Sequence, residues 1–291
     1  MNNIKRINYK ENKKNEMADF EIVDLKRFFQ TRSKKLLERD HRLNFWVIIY
    51  IINGEGKHYI DFKSFEYKSG NIIFVRKNQV HHFLVNENVN GYVIHINEPF
   101  MLKLSDYNND VFWEFIDRSY GYQIIKIDMN EESNNRKLID MIYKEYLNFS
   151  ESTDENFIRS LFESFILSIR QQLDRSKLFI KTSEYEIFAK YRFFVEKHFR
   201  QQLNLDSYSK MLGVSKKTIN LASRSNADLS AKEFINQRLL LEIKRYLSQG
   251  ELMIYEISDI LGFSEPANMT KFFKRYEKIS PKKFKALNKK N

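Results

Sequence analysis

Cysteine is absent from this 291-residue chain, proline occurs three times and glycine eight times. Without a thiol there is no disulfide framework, no thiolate metal site and no cysteine nucleophile, which points to an intracellular, cytoplasmic protein. So little proline and glycine excludes collagen-like and low-complexity composition, while 42% hydrophobic and 15% aromatic residues suit a chain that packs a core. Long apolar runs are also missing. The longest, residues 45–52, is strand-sized, well short of the roughly 18–20 residues a membrane helix needs, so no membrane partner is expected. Residues 1–19 mix Lys, Asn and Glu without an apolar stretch, which excludes a secretory signal and reads as a disordered lead-in.

What the chain has in excess is positive charge, unevenly placed. The net charge is +11, yet residues 184–291 hold 21 Lys and Arg against 12 Asp and Glu, a net +9, which leaves +2 for the rest. A basic C-terminal part beside a nearly neutral N-terminal one is the electrostatic footprint of a nucleic-acid binder. The length favours two cores over one.

The two parts also differ in periodicity. Residues 43–52, 57–62, 71–75, 81–85 and 92–96 read as short strands, separated by turn signals at Asn53-Gly54-Glu55-Gly56, Ser69-Gly70-Asn71 and Asn90-Gly91. Strands at this spacing imply a small sandwich or barrel. Beyond residue 128 the period becomes helical. Leu138, Ile142 and Tyr146 share one face, and Ile158, Leu161, Phe162, Phe165, Ile169 and Leu173 share the next. Two such helices, within 133–173, either cover the barrel or form a dimer seam. The expected division is a lead-in at 1–19, a β-rich domain at 20–173, a polar linker at 174–183 and a helical domain at 184–291.

The strongest motif lies in 253–276. Ile254, Ile257, Ile260 and Leu261 form a short apolar face, Gly262 permits a left-handed turn, and Phe263 plugs the junction. Ser264 is placed to cap a second helix, Pro266 is tolerated in its first turn, and Met269, Phe272, Phe273 and Tyr276 repeat at helical spacing. Ala267, Asn268, Thr270, Lys271, Lys274 and Arg275 are left facing outward, a small polar front edge with a basic rear that suits a major groove flanked by phosphates. The pattern recurs upstream as a helix at 205–212, a turn at Gly213-Val214 and a helix from Ser215 to about residue 224. A longer helix at 232–248, closed by Gln249-Gly250, joins the units. One rigid helix between two helix-turn-helix units would hold two recognition helices about one DNA turn, roughly 34 Å, apart.

Four ordered blocks, Arg238-Leu-Leu-Leu-Glu-Ile-Lys-Arg-Tyr-Leu247, Ile257-Ser-Asp-Ile-Leu-Gly-Phe-Ser264, Lys271-Phe-Phe-Lys-Arg275 and Ser280-Pro-Lys-Lys-Phe284, resemble the signature of the AraC/XylS regulators over residues 204–285. The strand pattern over 43–99 resembles the cupin-like sensor domain of the same family. The resemblance implies an α+β, two-domain protein: a cupin-like barrel with flanking helices, then an all-α domain with two helix-turn-helix units. It implies an activator of transcription that binds promoter DNA, works with RNA polymerase, responds to a small effector and dimerises through its N-terminal domain. Residue by residue, the base-proximal positions of the second recognition helix fall on Ala267, Asn268, Thr270 and Lys271, with Lys274 near phosphate, and in the first unit Lys216, Lys217, Asn220 and Arg224 match contact positions. Leu221 and Ser223 stand where many relatives carry an Arg-x-Phe pair, and Asp228 where many carry Gly; Asp can visit the left-handed region.

In resembling regulators the barrel holds the effector, and Trp46, Tyr50, His82 and Tyr92 are candidates to line it, since aromatic rings with one polar donor suit a sugar or similar metabolite. Cupin folds also house metal-dependent isomerases and oxygenases, the competing reading. A metal site needs closely set ligands on facing strands. His81 and His82 are adjacent and hence on opposite faces; His58 and His95 lie on other strands, and no His-x-His pair exists. No phosphate loop or nucleophile elbow is present. The expectation is a regulator, not an enzyme, with no metal and no cofactor.

Overall fold

The structure is a computed structural model that describes residues 5–7, 17, 19–104, 124–127, 133–150, 154–175 and 183–287. The chain divides into two compact units, residues 6–180 and, with the first five residues, 181–291.

The N-terminal unit is built on two five-stranded sheets. One has the order β1 (Lys5–Ile7), β3 (His41–Leu43), β8 (Val80–Phe83), β5 (Glu55–Ile60), β6 (Lys63–Lys68). The other has the order β10 (Ile124–Lys126), β7 (Asn71–Val75), β4 (Trp46–Asn53), β9 (Asn90–Ile96), β2 (Phe20–Asp24). The pairs among β2 to β10 are antiparallel. Strand β4 reads as an unbroken apolar run because both of its faces are covered. Val47, Ile49 and Ile51 enter the core between the sheets with Leu43, Ile60, Phe83 and Val93, joined by Phe28 and Phe29 of α1 (Leu25–Thr31). Trp46, Ile48 and Tyr50 point the other way. They share a second core with Ile139, Ile142 and Tyr146 of α4 (Asn134–Leu147) and Ile158, Phe162, Phe165 and Ile169 of α5 (Glu155–Arg175). Each such fully buried side chain contributes roughly 1.5–3 kcal/mol, and the two helices owe their place on the sheet to that apolar face. The remaining helices of the unit are α2 (Lys34–Leu37) and α3 (Glu98–Leu102).

Several turns depart from expectation. Gly54 and Gly70 have positive φ, at 101° and 86°. Gly91, expected in a hairpin turn, lies inside β9 beside a register shift at Ile51 and Asn53, and a Cβ there would sit 1.9 Å from the Tyr50 carbonyl oxygen. Its reason is close backbone approach, not turn formation. The β5–β6 hairpin turns without a glycine: Asp61 and Phe62 both take positive φ, at 48° and 68°, between the paired Ile60 and Lys63, as a type I′ turn requires. The Asp61 carboxylate accepts from Gln79 Nε2 at 2.7 Å and from the Val80 N–H at 3.2 Å, which holds the turn. The lead-in expected at 1–19 also needs correction: residues 5–7 form a strand and Met17 is buried in the helix-covered core. Of the linker expected at 174–183, Asp174 and Arg175 end α5 and Ser183 begins the next helix; the interval 176–182 lies outside the described residues.

Residues 183–287 of the second unit form helices joined by short turns. It comprises α6 (Ser183–His198), a 3-10 turn (Phe199–Gln201), α7 (Leu205–Leu212), α8 (Lys216–Ala227), α9 (Ala231–Gln249), α10 (Ile254–Ile260), α11 (Pro266–Glu277) and α12 (Pro281–Leu287). One core runs through all of it, from Tyr191 and Tyr208 through Ile219, Leu239 and Ile243 to Ile257, Met269, Phe273 and Phe284. Helix α9 is its spine. Ser230 caps its start by accepting from the Glu233 N–H, Gly250 ends it in the left-handed conformation, and the Ala231 carbonyl accepts from the Tyr191 hydroxyl at 2.6 Å.

Candidate nucleic-acid interface

Two helix–turn–helix units are assembled by the same local chemistry. In the first, Gly213 closes α7 at φ 66° and the Val214 N–H reaches back to the Ser209 carbonyl at 3.3 Å. In the second, Gly262 follows α10 at φ 71° and the Phe263 N–H reaches back to the Ser258 carbonyl at 3.0 Å. Both are six-to-one closures of a helix end, possible because glycine enters the left-handed region without a Cβ penalty. The helix that follows is started differently in each. Ser215 Oγ accepts from the Thr218 N–H at 3.1 Å and caps α8. Ser264, the expected cap of α11, instead accepts from Asn268 Nδ2 at 2.9 Å; Glu265 holds the cap position without a side-chain bond, and Pro266 opens the helix.

The spine helix α9 is tied to α6 and the turn after it through buried charge. Glu242 of α9, wholly buried, accepts from Arg238 Nη1 at 3.0 Å and Arg245 Nη1 at 3.1 Å. Arg238 also makes a two-pronged bond to Glu196 of α6, at 2.7 and 2.8 Å, and lies 4.0 Å over the Phe199 ring. Buried charges persist when paired and hydrogen-bonded like this. The segment after α6 also touches the second turn: Gln202 Nε2 donates to the Leu261 carbonyl at 2.8 Å, and a Cβ on Gly262 would stand 2.2 Å from the Arg200 carbonyl oxygen.

The outward residues fall as follows. On α8, Lys216, Lys217, Leu221, Arg224 and Ser225 are exposed, while Ile219, Ala222 and Ser223 are buried. On α11, Ala267, Asn268, Lys271, Lys274 and Arg275 are exposed, Thr270 is half-buried, and Met269 and Phe273 are buried. Among the described residues no carboxylate lies within ion-pair distance of Lys217, Arg224, Lys271 or Lys274, whereas Lys216 meets Asp206 at 2.8 Å. Arg275 folds back over the Phe272 and Tyr276 rings of its own helix, at 5.6 and 4.9 Å. Asn220 does not face outward freely. Its Oδ1 accepts from the Ala231 N–H at 3.0 Å and its Nδ2 donates to the Lys216 carbonyl at 3.1 Å, so it ties α8 to the start of α9. Leu221 was legible only as a departure from a family pattern; its exposure is a property of the fold. The further basic residues Lys278, Lys282 and Lys283 are exposed near α12, signalled by the run that starts at Ser280.

In the other unit the effector candidates do not line the space between the sheets. Trp46, Tyr50 and Tyr92 lie on the helix-covered face; Tyr92 donates its hydroxyl to Asp140 of α4 at 2.8 Å, and Tyr50 meets Phe165 edge-on at 5.8 Å. His82 stacks on Tyr59 at 4.3 Å and bonds Asp40 through Nδ1 at 2.6 Å, on the strand face opposite His81. The alternation of β4, β8 and β9 decides this, because successive side chains alternate faces. The interior holds histidines instead. His58 Nε2 and His81 Nδ1 lie 3.1 Å apart, the His41 ring is 4.2 Å from that of His81, and His95 bonds Glu21 at 2.6 Å. Burial pushes His58 down to about 3 and His81 and His41 below the usual imidazole range, so all three are neutral at pH 7. Beside them is a cavity of about 50 Å³ lined by Phe28, Arg32, Phe45 and Phe83 together with His41, His81 and His95. Among the described residues no group of three or more His, Asp or Glu is placed to hold a metal ion, and no helix is long and apolar enough to cross a membrane.

Comparison with known proteins agrees with this geometry. A model described as an AraC-like ligand binding domain matches residues 27–107, and one described as a helix-turn-helix domain matches residues 208–286. The transcriptional activator RhaS of Escherichia coli (strain SE11) is 20% identical over 244 residues, covering 84% of this chain and 86% of that protein. Among solved structures, ToxT of Vibrio cholerae is similar at 17% identity and a TM-score of 0.46, over 92% of this chain and 98% of that one. The C-terminal domain of the response regulator yesN of Fusobacterium nucleatum is similar at 24% identity and a TM-score of 0.31, over 33% and 93%. A sheet domain matched as an AraC-like ligand binding domain, ahead of two glycine-turned units matched as a helix-turn-helix domain, identifies the chain as a member of the AraC/XylS family of DNA-binding transcription regulators.

Proposed function

We propose that the chain activates transcription by reading two successive major grooves of a promoter, α8 in one and α11 in the next. The observation that carries this is the pair of matched turns packed on one spine helix, each followed by a helix that presents cations without a carboxylate partner among the described residues, Lys217 and Arg224 on α8 and Lys271 and Lys274 on α11. Lys217 and Arg224 on α8, and Lys271 and Lys274 on α11, clamp phosphates, and Lys216 joins them by leaving Asp206. Ala267, Asn268 and Thr270 approach base edges. Asn268 exchanges its bond to Ser264 for an adenine edge, the pairing its amide geometry favours. Arg275, resting on its own helix's rings, is a secondary phosphate contact.

In this reading a small effector acts through the N-terminal unit, and the interior cavity beside His41, His81 and His95 is where it enters. RNA polymerase is the downstream partner, and the chain works in the cytoplasm on the nucleoid as a regulator without catalytic activity. Dimerisation runs through α4 and α5. Their outer surface carries a groove of about 860 Å³ lined by Leu138, Met141 and Leu167 beside Lys137 and Arg170, and Met141 is exposed.

Selection of duplexes from a random DNA pool by the full chain tests the proposal. The expected result is enrichment of one bipartite sequence whose binding constant falls steeply with salt, by nearly one log unit per log unit of salt for each phosphate neutralised. Enrichment of no sequence, with a transition metal in stoichiometric amount in chelator-free protein, would favour the cupin enzyme instead.

A further inference from the structure

Leu221 occupies the middle of the DNA-facing stripe of α8. Lys217, Leu221, Arg224 and Ser225 are spaced at i, i+4, i+7 and i+8 and all are exposed, so they share one helix face. Leu221 itself is 56% exposed. A lone surface leucine is ordinary; the neighbours make this one informative. Asn220, the amide that would otherwise read an adenine from this helix, has both ends of its side chain engaged within the protein. The cations Lys217 and Arg224 bracket Leu221 and suit phosphate. Leu221 is thus the large apolar side chain on this stripe, suited to an apolar base edge that the polar residues beside it would not select. The exposed residues of α11 are Pro266, Ala267, Asn268, Lys271, Lys274 and Arg275, none of them a large aliphatic.

The major-groove edges of the four bases offer one apolar group, the C5-methyl of thymine. We propose that Leu221 is a specificity-determining residue that selects a thymine in the half-site read by α8, by burying that methyl against its isobutyl group while Lys217 and Arg224 hold the flanking phosphates. The inference rests on the reading of α8 as a recognition helix, and it changes what that helix does: it contributes sequence choice, not only charge.

Deoxyuridine differs from thymidine only by lacking this methyl. The test takes the duplex enriched by the full chain and replaces each thymine in turn by deoxyuridine, measuring binding of the full-length wild type and of Leu221→Ala and Leu221→Gln. One substitution should weaken the wild type about fourfold, the worth of roughly one buried carbon. Both variants should bind the thymine and deoxyuridine duplexes equally well at that position, and should keep the wild-type response at bases contacted by α11. Helical circular dichroism of each variant establishes that it is folded. If the wild type binds every deoxyuridine duplex as tightly as the parent, or if Leu221→Ala still discriminates at the sensitive position, the inference is overturned while the DNA-binding reading stands. If the full chain selects no sequence at all, both fall together.

Discussion

The two helix-turn-helix units share a turn and differ in what surrounds it. Gly213 and Gly262 have nearly the same φ, 66° and 71°, and the residue after each makes the same backward hydrogen bond. Yet a Cβ on Gly213 would meet nothing within 4 Å, whereas one on Gly262 would run into the Arg200 backbone. The recognition helices differ too. Helix α11 is rooted by Met269 and Phe273, while α8 is rooted by Ile219 and the small Ala222 and Ser223, with the Ser223 hydroxyl buried and making no hydrogen bond among the described residues. Small residues at 222 and 223 let two helices approach closely, and α8 packs along α6 in this way. The same supersecondary signal therefore serves one unit whose turn has no close neighbour and another whose turn is pressed against the segment after α6.

Substitutions in the spine and at the two turns test this contrast. The largest effect is expected where α9 meets α6: Glu242→Ala strands buried guanidinium groups without their shared carboxylate and should cost about 3–5 kcal/mol, read from urea unfolding followed by helical circular dichroism. A loss below 1 kcal/mol would mean that the charge cluster does not hold the spine in place. Next come the glycines. Gly262→Ala combines the left-handed penalty with a backbone collision and should cost about 2–5 kcal/mol, while Gly213→Ala carries the conformational penalty alone, about 1–2 kcal/mol. Equal losses in the two would erase the distinction between a crowded and an uncrowded turn.

On DNA, Lys271→Ala should cost about 1–3 kcal/mol mainly on the enriched site, and Lys217→Ala or Arg224→Ala should lower the salt slope by about one. Lys216→Ala should lower it by less, because in the free protein Asp206 already neutralises that ammonium. Binding titrations at several salt concentrations measure all four, and a full unit lost at Lys216 would show that its ion pair is no brake. The smallest effect belongs to Ser223→Ala, which removes an unpartnered buried hydroxyl and should leave stability within about 0.5 kcal/mol or raise it slightly. A loss of 2 kcal/mol in urea unfolding would reveal a hydrogen bond that anchors α8.

Much of the helical domain was legible because its signals are local. A cap is one side chain and one N–H three residues on, as at Ser215 and Ser230; a left-handed turn is one glycine; an amphipathic helix is a period. Asp228 does adopt φ 56° at the end of α8, as a short polar side chain permits. The interior of the sheet domain was less legible. Tyr50 and Tyr92 are aromatic in sequence whichever way they point, and only the pairing of β4 with β7 and β9, plus the helices laid on one side, places them outside the inter-sheet space. His41, His58, His81 and His95 come together from four strands of two sheets, a convergence no spacing in the chain encodes.

The sequence by itself determined the division into a β-rich part and a basic helical part, the two glycine turns and the roll of α11, since charge, period and φ preference are properties of residues and their near neighbours. Tertiary structure alone decided that Asn220 is engaged by Ala231 and that Leu221 is left exposed beside it. It also decided that Gly262 must be glycine for want of space, and that the inter-sheet core holds neutral histidines. Each depends on which distant backbone comes within a few ångströms, and that is settled only when the whole core packs at once.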